Sequence, residues 1–444
     1  MITKYNYLFF LSLAVLAFTS CDDKLNILPA QSIAGEVAFS TEANIQNILI
    51  GTYSEAGEDE SYGGQLQIMA DLLGKGDYVT WVGTFLDPRQ VANKNMLTDN
   101  SFVGGYWNNA YATINQANLV LDNLDVVTSS SEERDRIEGE ARFLRGLSYF
   151  DLARHFSSGD TGVPLRATGI SDYSVDLSSG RASTTEIYDL VISDLQRAAA
   201  VLPGSNGIFA DQYAAEALLA RVYLHQGNYP AARDAADVVI MNSGAALTPT
   251  FAEAFNNDEN SSEDIFAFQV TSQDGANDLI IHYADEGNGG RGGDIEINDS
   301  YASIFEGDDE RGSFFVASRQ TDARLTAKYT NQFGNIPLIR LAEMYLIRAE
   351  ANLRESTSVG ATPLADINTI RNRSGASSLD EVDVDGILLE RVKELAFEGF
   401  LIHDIRRTGG SVDGFNADAN ELVFPIPLSE MDTNPLMSQN PGYN

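Results

Sequence analysis

The stretch ALLARVYLHQGNYPAARDAA, residues 217–236, decides the fold. Ala217, Ala220 and Ala232 are small, and Tyr223 and Tyr229 flank the turn residues Gln226, Gly227 and Asn228. Upstream, Ala215, Leu218, Leu219, Val222 and Tyr223 keep the i, i+3, i+4, i+7, i+8 spacing that lays one apolar stripe on one helix face. Two helices joined by a glycine turn, with alanines where they touch, read as a tetratricopeptide-like hairpin. Such hairpins bury their apolar faces only by stacking on one another.

Working outward, the same spacing predicts helices over residues 108–124, 132–154, 184–202, 229–241, 363–373 and 386–405. Another stripe runs through Leu338, Leu341, Ala342, Tyr345 and Ala349. Ser183 with Glu186 is a capping-box pair, and Pro363 suits a first helical turn. Residues 51–102 and 247–329 lack this periodicity, are rich in Gly, Asn and Asp, and are expected to be loops or small strands laid on the helices. The expected fold is mainly α, a helical-pair scaffold with an irregular, loop-rich half and short strands.

At 444 residues the chain can bury a large core without staples. Its single cysteine, Cys21, excludes a disulfide framework and a cysteine zinc cluster. With 64 acidic and 29 basic residues the formal net charge is -35, a field that repels phosphate backbones. Nucleic acid is therefore not an expected partner. The N-terminus carries Lys4, an apolar run over residues 8–18, and the small residues Thr19 and Ser20 before Cys21. This reads as a signal peptide over residues 1–20, too short to span a bilayer, with Cys21 placed as the acceptor of a lipid anchor. Residues 21–444 are expected to form the mature domain.

The order of short segments beyond Cys21 resembles the SusD/RagB family of outer-membrane nutrient-binding lipoproteins of Bacteroidetes. It runs from Leu25, Asn26, Ile27, Leu28 and Pro29, through Trp107 to Tyr111, to Glu140, Ala141 and Arg142. It continues with Pro337, Leu338, Ile339, Arg340, Leu341, Ala342 and Glu343, then Arg371, Arg373, Glu390, Glu394, Glu398 and Asp404. It ends in Pro425, Ile426 and Pro427 with Asn440, Pro441 and Gly442. The resemblance implies a SusD-like fold with its C-terminal half from about residue 250. It also implies a surface lipoprotein that captures an oligosaccharide as the lid of a SusC-like TonB-dependent transporter, without catalysis. Peptide or other nutrient cargo is the alternative within transport, and a lipoprotein hydrolase is a remote one.

Sugars are held by aromatic faces and by planar polar groups, so aromatics in polar loops are the candidate ligand contacts. Trp81 leads, with Asp71, Asp77 and Tyr78 beside it and Tyr283, Asp285, Arg291 and Tyr301 as a second wall. Trp107 keeps helical spacing with Tyr111 and Ile114 and is assigned to the core. Glu390, Glu394 and Glu398 recur every four residues on a predicted helix, where like charges repel. Arg340, Arg348, Arg371 and Arg373 are the expected relief, making a structural ion-pair network rather than an acid-base site. The run from Gly287 to Gly292 has the letters of a dinucleotide fingerprint, but Asp294 to Ile297 alternates like a strand instead of opening a helix. Glu381, Asp383 and Asp385 imitate a calcium loop whose twelfth position is Val392, not an acid. His155, His225, His282 and His403 are scattered without a hydrolase motif, and no metal or cofactor is expected.

Overall fold

The computed structural model describes residues 38–273 and 275–443, so the leader and Cys21 lie outside the described residues. Helix α1 (Glu42–Gly57) is followed by α2 (Gln65–Leu73), strand β1 (Val79–Trp81) and α3 (Leu86–Ala92). Five long helices follow: α4 (Ser101–Asp122), α5 (Ser131–Phe156), α6 (Thr184–Val201), α7 (Gln212–His225) and α8 (Tyr229–Asn242). The irregular part holds β2 (Asp264–Phe268), α9 (Asp278–Tyr283), β3 (Ile295–Ile297), β4 (Phe315–Ala317), β5 (Arg324–Thr326) and β6 (Ile336–Arg340). Helices α10 (Leu341–Glu355), α11 (Pro363–Arg373), α12 (Val384–Leu395) and α13 (Leu401–Thr408) complete the scaffold.

The long helices stack in chain order, α4 on α5, α5 on α6, α6 on α7 and α7 on α8, after which α8 packs on α10 and α10 on α11 and α12. Capping explains where they start. Asp211 accepts from the amides of Tyr213 and Ala214, Ser183 and Glu186 form the expected capping box, and Asn228 caps α8 with Pro230 in its first turn. Gly227 takes φ 72°, which an alanine there would resist, so the hairpin turn is fixed by a single residue. Ala217, Ala220, Ala232 and Ala236 are fully buried at the α7–α8 contact. Gly139 in α5 plays the same part against α6, since a Cβ there would lie 2.6 Å from Leu202. Trp107 is buried between Tyr111 and Phe156 at ring distances of 5.0 and 4.9 Å.

Four strands form an antiparallel sheet in the order β1-β3-β5-β4, with Val79 opposite Ile297 and Trp81 opposite Ile295. A separate pair joins β2 to β6.

Three expectations are corrected. About half of residues 51–102 are helical, in the end of α1 and in α2 and α3: α2 has only nine residues, so its Leu66, Met69, Ala70 and Leu73 stripe spans two turns and is easily passed over. The helix expected over 386–405 is broken between α12 and α13, where Phe397 and Gly399 take φ 67° and 81° and the Gly399 amide donates to Asp71. Glu398 therefore lies beyond the helix end rather than on the face of Glu390 and Glu394. Leu338 is in a strand, because residues 336–340 pair with β2 before α10 begins.

The break brings a cage of buried charges together. Arg340 reaches Glu263 at 2.5 Å, Glu394 at 3.0 Å and Glu398 at 2.8 Å. Arg373 pairs with Glu263 at 2.6 Å and with Glu394, Arg371 with Glu390 at 3.1 Å, and Arg311 with Glu390 at 2.6 Å. Lys328 takes the other side of Glu398 at 2.6 Å. Arg348 does not join: it pairs with Asp366 and Asp237, each at 2.6 Å, tying α10 to α11 and α8. Burial alone would raise the Glu394 carboxyl, but Arg373, Arg340 and Arg311 hold it far below the ordinary carboxylate range.

Three histidines meet elsewhere in the core. His155 and His403 stand 4.7 Å apart and perpendicular, with His225 at 6.2 Å from His403. The His155 ring nitrogen Nδ1 lies 2.8 Å from the Asp151 carbonyl. Burial first, then Arg154, pushes His155 down to about 4 and His403 well below its ordinary value.

Two outcomes are expected. Charge reversal in Glu394→Lys leaves buried cations unpaired and costs about 3–5 kcal/mol in denaturant unfolding; a loss under about 1 kcal/mol would contradict the cage's structural role. The buried neutral histidines make the unfolded chain the better proton binder below about 6.5, so their share of stability falls as pH falls, by up to about 1.4 kcal/mol per unit each. Asp71 and Asp59, whose carboxyls sit at about 7, give the opposite slope. The histidine share is thus read as a difference between pH 7 and pH 5: thermal unfolding of His403→Gln loses less stability on acidification than wild type, and parallel pH curves would refute the assignment.

Candidate functional site

Strand β1 ends in Trp81, and the chain turns through Val82, Gly83, Thr84 and Phe85 into α3. The turn has no room for a side chain at Gly83, where a Cβ would meet the Trp81 ring at 2.6 Å and Asp294 at 2.7 Å. Val82 donates its amide to the Asp294 carbonyl at 2.8 Å, and Trp81 Nε1 donates to the Phe85 carbonyl at 3.3 Å. Trp81 is only 8% exposed and packs near His282, whereas Phe85 is 45% exposed. Arg291 lies over the Phe85 ring at 3.9 Å and donates to Thr84 Oγ1 at 2.8 Å. The result is a partly exposed aromatic ring with one face covered by a guanidinium and its backbone held by Trp81.

The glycine run beside it is a packing turn. A Cβ at Gly290 would lie 2.0 Å from the Ala284 carbonyl, and Gly293, at φ 73°, touches Leu325. Asp285 pins this turn: it is buried, accepts from the Gly287 amide and Asn288 at 3.1 Å, and through its other oxygen accepts from the Arg319 amide at 3.0 Å.

The outer face of the same sheet carries a separate groove of about 550 Å³ lined by Glu296, Asn298, Asp299, Phe315, Asp322 and Arg324. Thr80 faces it from β1, opposite Glu296, and donates to Asn298 at 3.0 Å. At the far end Asp77 is exposed, and its carbonyl accepts from Asn298 at 2.8 Å. Carboxylates, an amide and a guanidinium beside the Phe315 ring in one open groove, with the Phe85 platform elsewhere on the same sheet, can bind a polyhydroxylated ligand by face and edge.

The remaining sequence candidates lie inside. Tyr283 is fully buried and donates to Asp71 at 2.8 Å; Asp71 also accepts from the Gly399 amide at 3.0 Å. Burial pushes the Asp71 carboxyl up to about 7, against the pull of Tyr283 and Gly399. Tyr301 is buried between Tyr78 and Phe397 at ring distances of 5.5 and 5.0 Å, and Tyr78 is half-buried. The space that Asp71, Tyr78, Tyr301 and Phe397 enclose is about 30 Å³, room for a water and too small for a sugar ring. Asp71, Tyr283, Asp285 and Tyr301 thus offer no face to a ligand; they hold the loops that do. Sequence reasoning reached Trp81 and Arg291 but missed Phe85 and the groove residues Glu296, Asn298 and Arg324. Phe85 carried a signal, an apolar pair with Leu86 set between the turn residues Gly83 and Thr84 and the helix start Asp87-Pro88. Among the described residues no group of three or more His, Asp or Glu is arranged to hold a metal ion, and no helix is long and apolar enough to cross a membrane.

Two family models match the chain: one described as "Starch-binding associating with outer membrane" over residues 25–224, and one described as "SusD family" over residues 314–443. SusD-like protein P2 of Formosa agariphila is 27% identical over 99% of this chain and 100% of its own length. Starch-binding protein SusD of Bacteroides thetaiotaomicron is 31% identical over 28% of this chain and 24% of its own. A solved SusD superfamily structure from Bacteroides thetaiotaomicron superposes with TM-score 0.81 at 26% identity, covering 90% of this chain and all of the other.

Proposed function

The chain belongs to the SusD/RagB family, and from that premise we propose that it is a glycan-binding lipoprotein of the outer membrane that captures oligosaccharide and passes it unaltered to a SusC-like TonB-dependent transporter. Cys21 carries the lipid anchor, which leaves the domain at the cell surface. The observation that carries the reading is the exposed Phe85 ring under Arg291, on a sheet whose outer face also carries a polar groove. A pyranose stacks its C–H face on the ring while its hydroxyls reach Arg291 and Thr84, and the groove with Glu296 and Asn298 takes other units of the sugar chain. Trp81 acts through Phe85, by fixing the turn that presents it. Asp77 and Tyr78 border the same groove's far end, and Asp71, Tyr283, Asp285 and Tyr301 keep its walls in place. The site has no histidine free for general base work: His282 is buried against Asp294 at 2.8 Å.

The test is titration calorimetry of the soluble domain against an oligosaccharide panel. Phe85→Ala is expected to weaken the best binder by about 1–3 kcal/mol with unchanged melting. Trp81→Ala is expected to lower stability by about 3–5 kcal/mol as well as weakening binding. Peptides binding in place of every sugar, or a Phe85→Ala variant of undiminished affinity, would overturn the assignment.

A further inference from the structure

A second groove, of about 470 Å³, lies between the C-terminal end of α1, the turn before α7 and strand β2. Its volume is that of a ligand site rather than of a packing defect. Ile208 is 50% exposed within it, and the Phe209 ring stands 5.0 Å from the Tyr53 ring. Tyr53 accepts a hydrogen bond from the Ala210 amide at 3.1 Å, so the apolar wall is fixed to α1. Ser54, Glu58 and Asp59 are exposed and supply the polar side, and no lysine or arginine lines the groove.

The charge there is unopposed. Glu58, Asp59, Glu60 and Asp278 form no ion pair among the described residues, and Asp278 takes the Gln65 amide at 2.7 Å. Partial burial, then Asp278, Glu60 and Glu58, push the Asp59 carboxyl up to about 7. A cation seated beside Asp59 would relieve this repulsion. A second copy of the chain brings a net charge of -35 and is repelled. A metal ion lacks a ligand set among the described residues. What fits is a ring with an apolar face for Phe209 and Ile208 and a polar, positively charged edge for Ser54, Glu58 and Asp59.

We propose that this groove is a second glycan subsite, distinct from the Phe85 platform, that selects sugars bearing a free amine. The ligand class rests on the glycan-binding reading above; the place does not. The probe is a glucosamine hexamer with free amines, titrated calorimetrically near pH 6, where the amines are charged. Its N-acetylated counterpart and an alternating Lys-Leu hexapeptide are run beside it. Wild type is expected to bind the free-amine hexamer at least about tenfold more tightly than the acetylated one. Ile208→Ser, and Glu58→Gln combined with Asp59→Asn, each weaken it by about tenfold with unchanged melting, while Phe85→Ala keeps the wild-type preference for the free-amine over the acetylated hexamer. Absence of hexamer binding, equal binding of the acetylated form, preference for the peptide, or groove variants that bind like wild type would overturn the proposal. Loss of the hexamer in Phe85→Ala alone would also overturn it, while leaving the platform as a glycan site.

Discussion

The charge cage around Arg340 is the constraint on which the architecture turns. A buried guanidinium and a buried carboxylate are each costly alone, so Arg340, Arg373, Arg311 and Lys328 have to meet Glu263, Glu394, Glu390 and Glu398 in one place. These residues come from the position just before β2, the β6–α10 junction, α11, α12 and the break after it, and the irregular segment before β6. Only one mutual placement of scaffold and irregular half pairs them all. The cage sets register more than it adds stability: a well-packed apolar replacement could be as stable, but would tolerate other arrangements.

How much of this is legible in the sequence follows from where the period survives burial. The α7–α8 hairpin, the capping box of α6 and the proline start of α11 are amphipathic or capped, and their residues announce them. Helix α2 is only nine residues long, so its stripe of Leu66, Met69, Ala70 and Leu73 covers too few turns to stand out from the loop-like residues around it. The break at Phe397 and Gly399 depends on a hydrogen bond to Asp71, over three hundred positions away, and no local rule can anticipate it. The same limit governs the candidate site. Trp81 and Arg291 are recognisable as residue types, but which aromatic faces water is decided by the packing of His282 and Asp294 beneath the turn. Buried Tyr283 and exposed Phe85 look equally suitable until the chain is folded.

The platform also illustrates a division of labour between exposed and hidden polar groups. Asp285, Asp71 and Asp294 spend their oxygens on backbone amides, a tyrosine and a histidine, and so convert loops of low propensity into fixed walls. Residues on the groove face, Glu296, Asn298 and Arg324, keep more of their hydrogen-bonding capacity toward solvent. A binding surface assembled this way is preorganised, since little order remains to be imposed when a ligand arrives.

The stacking order of the helices has a mechanical corollary. In an array where each member touches chiefly its neighbours, opening starts at the end that is least restrained. The α10–α12 end is clamped by buried charge, whereas α1 leans on α4 and α5 alone among the long helices. Local breathing is therefore cheapest at α1, and amide hydrogens there should exchange ahead of those in α5 or α10. Because α1 is also a wall of the acidic groove, that part of the surface can widen or narrow while the opposite end of the stack stays still.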